Sequence, residues 1–227
     1  MTTEEKDRLE IVKEVCNLQD CTLQEIYNFI KTGKTSTAVV LDTTPADGVY
    51  LVMRDGLCDK FTGTNLILDC DNPVIGIGVK QGDRGVIVAL QDVADGDDVT
   101  LTIREDTTNY GGYIPNRIDA VADWNGEANT AHLREIGLNP AIALNDGEYI
   151  PSVGEMYLIY THLREINAAL RHVGGMEIAD EWYLTSTEYS AANAWHLYLS
   201  YGTLYTWLTK ASHKGRVRPV SAFNFNR

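Results

Sequence analysis

Residues 195–208 restrict the fold most. Trp195, Leu197 and Leu199 alternate with His196, Tyr198 and Ser200. The run Ser200-Tyr201-Gly202-Thr203 has the composition of a turn, and Leu204, Thr206 and Leu208 then alternate with Thr203, Tyr205 and Trp207. Side chains on a strand point to opposite faces with a period of two. The pattern therefore predicts a hairpin with one aliphatic face, completed by Trp195, and one face of hydroxyl, aromatic and imidazole groups. Leu197, Leu199, Leu204 and Leu208 are expected in the core. His196, Tyr198, Tyr201, Tyr205 and Trp207 are expected as one solvent-facing patch, with Ser200 and Thr203 at its edge.

The segment before the hairpin reads as helix. Met156, Tyr160, Leu163, Ile166, Leu170 and Val173 recur at helical spacing, which predicts one helix over 153–173. Ser152 and Glu155 form a capping box behind Pro151, and Gly174-Gly175 stop the run. A shorter helix is expected from Glu127 to Ile136, after a turn at Asp123-Trp124-Asn125-Gly126 and before Gly137. Upstream, Val49-Tyr50-Leu51-Val52, Val74 to Val79 and Gly85 to Leu90 are short apolar runs punctuated by Gly and Asp, as are Val39-Val40-Leu41 and Leu66-Ile67-Leu68. Residues 3–32 carry two helical stripes, Leu9/Val12/Cys16 and Leu23/Ile26/Ile30, the second opened by Thr22 and Glu25. The expected organisation is a helical segment 1–34, a β-rich portion 35–72 and a main domain 73–227.

Charge and cysteine content exclude several functions. A net charge of −13, from 19 basic against 32 acidic residues, argues against a nucleic-acid binder, which needs a Lys/Arg footprint. No apolar run is long enough to span a membrane, so no membrane insertion is expected. No basic segment followed by an apolar run opens the sequence, so no secretory signal is expected. Cys16, Cys21, Cys58 and Cys70 form no Cys-x-x-Cys pair and have no histidine among them, so no metal site is expected there. A Cys16–Cys21 disulfide stays open as an alternative to free thiols. The five histidines, His132, His162, His172, His196 and His213, show no metal-ligand spacing, and Gly76, Gly78 and Gly82 lack the strand-to-helix setting of a phosphate loop. No cofactor is expected.

Tyr149-Ile-Pro-Ser-Val-Gly-Glu-Met-Tyr, Ile166-Asn-Ala-Ala-Leu, Trp182-Tyr-Leu-Thr-Ser-Thr-Glu-Tyr, Asn193-Ala-Trp195 and Val217-Arg-Pro-Val-Ser-Ala-Phe223 occur in this order. This series resembles the variable target proteins of diversity-generating retroelements and their relatives in gut bacteria and phages. They form a branch of the C-type lectin fold shared with formylglycine-generating enzymes. The anchors cover residues 149–223, with a weaker likeness back to about residue 73. The resemblance implies an α+β, C-type-lectin-like fold with a β-rich N-terminal portion. It makes Trp182, Ser186, Thr187, Glu188, Asn193, Trp195, Gly202, Arg218 and Pro219 the scaffold. It places the ligand-facing positions at Leu184, Ser190, His196, Tyr198, Ser200, Tyr201, Thr203, Tyr205, Thr206, Trp207, Ala211, Ser212 and His213. Trp182, Trp195 and Arg218 are expected to be mostly buried. Trp207 does not derive from an asparagine codon of the kind that adenine mutagenesis diversifies, which departs from the diversified pattern.

The implied function is non-catalytic binding of a protein or glycan receptor on a cell surface, by a phage tail-tip protein or cell-surface adhesin. The alternative is a structural tail or fimbria-like subunit that uses the same face for assembly. Tyr and Trp offer large contact area at low entropic cost, and Ser and Thr offer adaptable hydrogen bonds, which suits either reading. A formylglycine-generating activity would need a C-terminal cysteine pair, and no cysteine follows Cys70. Homo-oligomers are expected, because linked weak sites gain avidity.

Overall fold

The computed structural model describes residue 6 and residues 45–65, 72–105 and 111–223. The expectations for residues 3–32, for Val39 to Leu41, for Leu66 to Leu68 and for Cys16, Cys21 and Cys70 lie outside the described residues. The chain divides into two compact units, Met1–Pro45 with Asn224–Arg227, and Ala46–Phe223. The second unit holds every strand and helix from Gly48 to Ala222.

Its elements alternate short strands with helices. β1 (Gly48–Met53), β2 (Cys58–Lys60), β3 (Val74–Gln81) and β4 (Arg84–Ala89) come first. A 3-10 turn (Val93–Gly96) and β5 (Val99–Thr100) lead to α1 (Arg117–Val121), α2 (Gly126–Ile136), α3 (Val153–Thr161) and α4 (Leu163–Val173). β6 (Trp182–Glu188), β7 (Ala194–Tyr198), β8 (Thr203–Tyr205), β9 (Lys214–Gly215) and β10 (Val220–Ala222) complete a mixed α+β unit. The strands form an antiparallel five-stranded sheet in the order β10-β4-β3-β1-β2, a β5-β9 pair and a three-stranded sheet β6-β7-β8. Because β1 and β2 belong to the same sheet as β3, β4 and β10, residues 46–65 are part of the main unit. The two units divide in sequence at Ala46.

The helices follow their sequence signals with one exception. The Ser152/Glu155 capping box forms, and left-handed glycines stop α2 at Gly137 and α4 at Gly174. The single helix expected over 153–173 is two helices, broken at His162. The cause is local. Thr161 Oγ1 donates to the Leu158 carbonyl at 2.9 Å and His162 Nδ1 lies 3.1 Å from the same oxygen. The His162 backbone N–H bonds Ile159 instead, one residue short of the α-helical partner. The apolar stripe continues across the break, with Met156, Ile166 and Leu170 fully buried.

Two cores explain the burial of the hairpin. The larger packs Leu51, Ile77 and Val88 of the five-stranded sheet on Met156, Ile159 and Ile166, and on Tyr183, Trp195, Leu197 and Leu204 of the three-stranded sheet. The smaller joins Val99, Leu101, Leu133 and Ile150 to Leu184, Ala194 and Val217. The β6–β7 end of the three-stranded sheet is therefore covered on both faces, whereas its hairpin end is covered on one.

Buried polar groups tie the sequence motifs together. Asp123 accepts from Asn125, Asn129 and Thr187, and the Thr187 hydroxyl in turn accepts from the Val153 N–H that opens α3. The Arg218 guanidinium donates to Asp92 and to the carbonyls of Ala89 and Met176, while Tyr183 donates to the other Asp92 oxygen. Each of these buried charges has partners, the condition under which burial is tolerable.

Candidate functional site

The three-stranded sheet sets the geometry of the site. The register pairs Leu197 with Leu204, Tyr198 with Thr203, His196 with Tyr205 and Trp182 with Tyr198. Trp182, Tyr198, Thr203 and Tyr205 thus share one face and Leu197 and Leu204 the other. Leu197, Leu199, Leu204 and Leu208 are all buried, and Trp195 is buried with its indole N–H donating to the Ile114 carbonyl at 2.8 Å.

The polar face carries a continuous chain of rings. Tyr201 meets Tyr198 at 5.6 Å between centroids, and Tyr198 stacks on Trp182 at 4.7 Å. Trp182 meets the Tyr205 ring edge-to-face at 4.7 Å, Tyr205 meets Trp207 at 6.2 Å, and Trp207 meets His213 at 6.2 Å. The chain is most exposed on the outer loops, with Tyr201 77% and Trp207 67% accessible. Neighbouring rings hold one another at favoured separations, so little side-chain freedom remains to be lost when a partner binds.

The hairpin tip is fixed to α3. Tyr157 donates its hydroxyl to the Gly202 carbonyl at 2.9 Å. Gly202 has φ +63°, and a Cβ there would lie 2.6 Å from the Tyr160 ring, so the tip needs a glycine both for its backbone and for its contact. On the outer edge of β8, Arg117 donates to the Leu204 carbonyl at 3.1 Å. On the other side, Asn193 donates to the Thr206 carbonyl at 2.7 Å and holds the strand end.

Two of the thirteen sequence-derived positions are not accessible. Leu184 and His196 are fully buried. They lie on the aromatic face by register, but at the end that the smaller core covers, where Gly215 of β9 packs so closely that a Cβ would come within 2.9 Å of Leu184. His196 Nδ1 lies 3.0 Å from the Ala194 carbonyl, to which it donates, and its Nε2 has no partner among the described residues. Desolvation, helped by the nearby His213, lowers its pKa to about 4, so the ring is neutral under His213 and not a contact group.

The other eleven divide by location. Tyr198, Tyr201, Tyr205, Trp207 and His213 form the ring chain, and Ser200 and Thr203 adjoin it at the tip, Ser200 exposed and Thr203 half-buried. Thr206, Ala211 and Ser212 line the loop between β8 and β9, Ser212 exposed and hydrogen-bonded to Thr209. Ser190 sits in the β6–β7 turn, at the opposite end of that hairpin from the tip, and accepts from the Asn193 N–H at 3.2 Å.

Trp182, expected in the mostly buried scaffold, is half-buried, and it also links Tyr198 to Tyr205 at the centre of the ring chain, a role the sequence did not show. The signal was available in the period of β6, which puts Trp182 and Leu184 on one face, but only the register shows which face. A second feature was also missed. A groove of about 330 Å³ beside the tip is lined by Arg84, Val121, Trp124, Tyr157 and Leu158, with the Arg84 guanidinium 4.4 Å above the Trp124 ring.

No family model matches the chain, and no curated protein matches it significantly. Among solved structures it is similar to a fimbrial protein from Bacteroides ovatus ATCC 8483, with a TM-score of 0.55 and 18% identity. The match covers 78% of this chain and 48% of that one, so the chain spans about half the length of the fimbrial protein. What the two proteins share at this identity is the fold, a mixed α+β architecture.

Proposed function

We propose that this chain is a non-catalytic receptor-binding protein, of the cell-surface adhesin or phage tail-tip type, that selects a protein or glycan through the β7–β8 face. The observation that carries the reading is the packed ring chain, exposed at Tyr201 and Trp207 on a tip held by Tyr157 and Gly202. Exposed aromatics of this size on a rigid support are what binding hot spots use. The fold likeness to a fimbrial protein supports a surface setting. The proposal takes the α+β unit as C-type-lectin-like, on scaffold residues such as Asn193, Trp195 and Arg218.

The test is binding of the purified full chain to an array of defined glycans and extracellular proteins, beside the variants Tyr201→Ala and Trp207→Ala. The reading expects array members bound by the parent chain and lost by both variants, and equal binding by all three proteins would end it. The second reading is an assembly subunit, which the fimbrial fold also favours. It expects light scattering to show oligomers that Trp207→Ala dissolves, with nothing bound on the array.

A further inference from the structure

Behind the ring chain, three ionisable side chains meet inside the protein. Glu188 ends β6 with a side chain 3% exposed, and Lys210, in the loop between β8 and β9, is 0% exposed. Lys210 Nζ donates to Glu188 Oε1. The other carboxylate oxygen, Oε2, lies 3.4 Å from Nε2 of His132, which comes from α2 and is 12% exposed. The backbones around the pair are fixed. Lys210 N–H donates to the Ala192 carbonyl at 2.8 Å, Thr102 N–H donates to the Lys210 carbonyl at 3.0 Å, and Ile114 N–H donates to the Glu188 carbonyl at 2.9 Å.

An amine, a carboxyl group and an imidazole, all removed from bulk water, are the parts of a condensation. We propose that Lys210 and Glu188 join in an intramolecular isopeptide bond, with His132 as the proton relay. One proton passes from the ammonium by way of His132 to Glu188 Oε2, which turns the ion pair into a neutral amine beside a neutral acid whose hydroxyl oxygen is Oε2, the oxygen that later leaves with a second proton. The Nζ lone pair then attacks Glu188 Cδ. Rotation of the carboxyl group about its soft terminal torsion brings that carbon under the nitrogen. As the C–N bond forms, Nζ gives up a proton to His132, and His132 delivers it to the departing oxygen at Oε2. The C–O bond breaks and one water leaves. Nothing is oxidised or reduced, and no co-reactant is needed.

Two physical terms favour the step. Groups held in contact react with effective molarities on the order of 10⁵–10⁸ M when well oriented. Two buried charges keep a desolvation penalty for as long as they remain ionised, and the amide removes both. The bond would staple the loop that carries Trp207 and His213 to β6. A cut anywhere between residues 188 and 210 would then leave the two ends joined. The inference does not depend on the proposed binding function.

The experiment is intact-mass spectrometry and tryptic mapping of the purified full chain, after prolonged incubation at neutral pH. The expected parent mass is one water below the sequence mass, with trypsin failing to cut after Lys210 and releasing the single peptide His172–Lys214 one water light, its residues 188 and 210 joined in an internal loop. Lys210→Arg keeps a cation beside Glu188 but cannot form this amide, so it should show the full sequence mass. His132→Gln should show a slower approach to the lighter mass. A parent chain at full mass that is cut after Lys210 would overturn the proposal and leave an ion pair. A water loss that persists in Lys210→Arg would overturn it as well.

Discussion

His196 gives the account its sharpest thermodynamic test. The sequence pattern puts this ring on the open face, and the structure buries it fully, with His213 beside it. Desolvation first, and then His213, lower its pKa to about 4 from 6.5. Between those values the unfolded chain binds a proton that the folded chain refuses. The stabilisation is therefore complete above about pH 6.5 and lost as pH falls toward 4. At about 1.36 kcal/mol per unit the full loss is about 3 kcal/mol, of which about 2 kcal/mol develops between about pH 7 and about pH 5. That range stays above the isoelectric point of 4.7, where the chain would lose its net charge and its solubility. Urea unfolding of the parent and of His196→Gln at both pH values isolates the term, since other titrating groups cancel in the difference. The parent should lose about 2 kcal/mol more than the variant on acidification. Parallel losses would mean that the imidazole titrates freely in the folded hairpin, and the burial argument would fail.

Glu155 should act with the opposite sign. Burial raises its pKa above the ordinary value despite hydrogen bonds from Ser152 and Tyr149. The folded chain holds a proton that the unfolded chain releases, so stability falls as pH rises above 4.5. Glu155→Gln should flatten that slope in the same urea series, and an unchanged slope would contradict the assignment. Leu197→Ala should cost about 2–5 kcal/mol in thermal or urea unfolding, because the side chain is fully buried in the larger core. A loss within about 0.5 kcal/mol would mean that the aliphatic face is open. Gly202→Ala should cost more than about 1 kcal/mol, from positive φ and the collision with Tyr160. An unchanged melting temperature would show that the tip is not pinned.

The elements with strong local signals were legible. The capping box at Ser152, the glycine stops at 137 and 174 and the alternation of Leu197, Leu199, Leu204 and Leu208 are encoded within a few residues, and each takes its expected place. What failed in the three-stranded sheet depended on partners distant in sequence. Alternation told which residues share the hairpin's polar face but not how much of that face another layer covers. Over Leu184 the cover comes from residues such as Leu101, Leu133 and Gly215, far from it in sequence. The place of Trp182 in the ring chain was not legible for the related reason that register, unlike period, is set by pairing with Tyr198. The break at His162 is local, but it arises from two side chains competing for one carbonyl, which an apolar-stripe count does not see.

The central claim is that the exposed ring chain is the binding face. The most direct measurement is a titration of the receptor found on the array against three proteins: the parent chain, the double variant Tyr201→Ala/Trp207→Ala, and Ile118→Ser. Ile118 is 82% exposed and outside the ring chain, so it controls for the loss of any exposed apolar side chain. Hot-spot truncations cost about 2 kcal/mol or more each, so the double variant should bind at least about a hundredfold more weakly. Its unfolding should match the parent within about 0.5 kcal/mol per site. Ile118→Ser should bind as the parent does. Parent-like affinity in the double variant would contradict the account, because a face that can lose both exposed rings without consequence does not select the receptor.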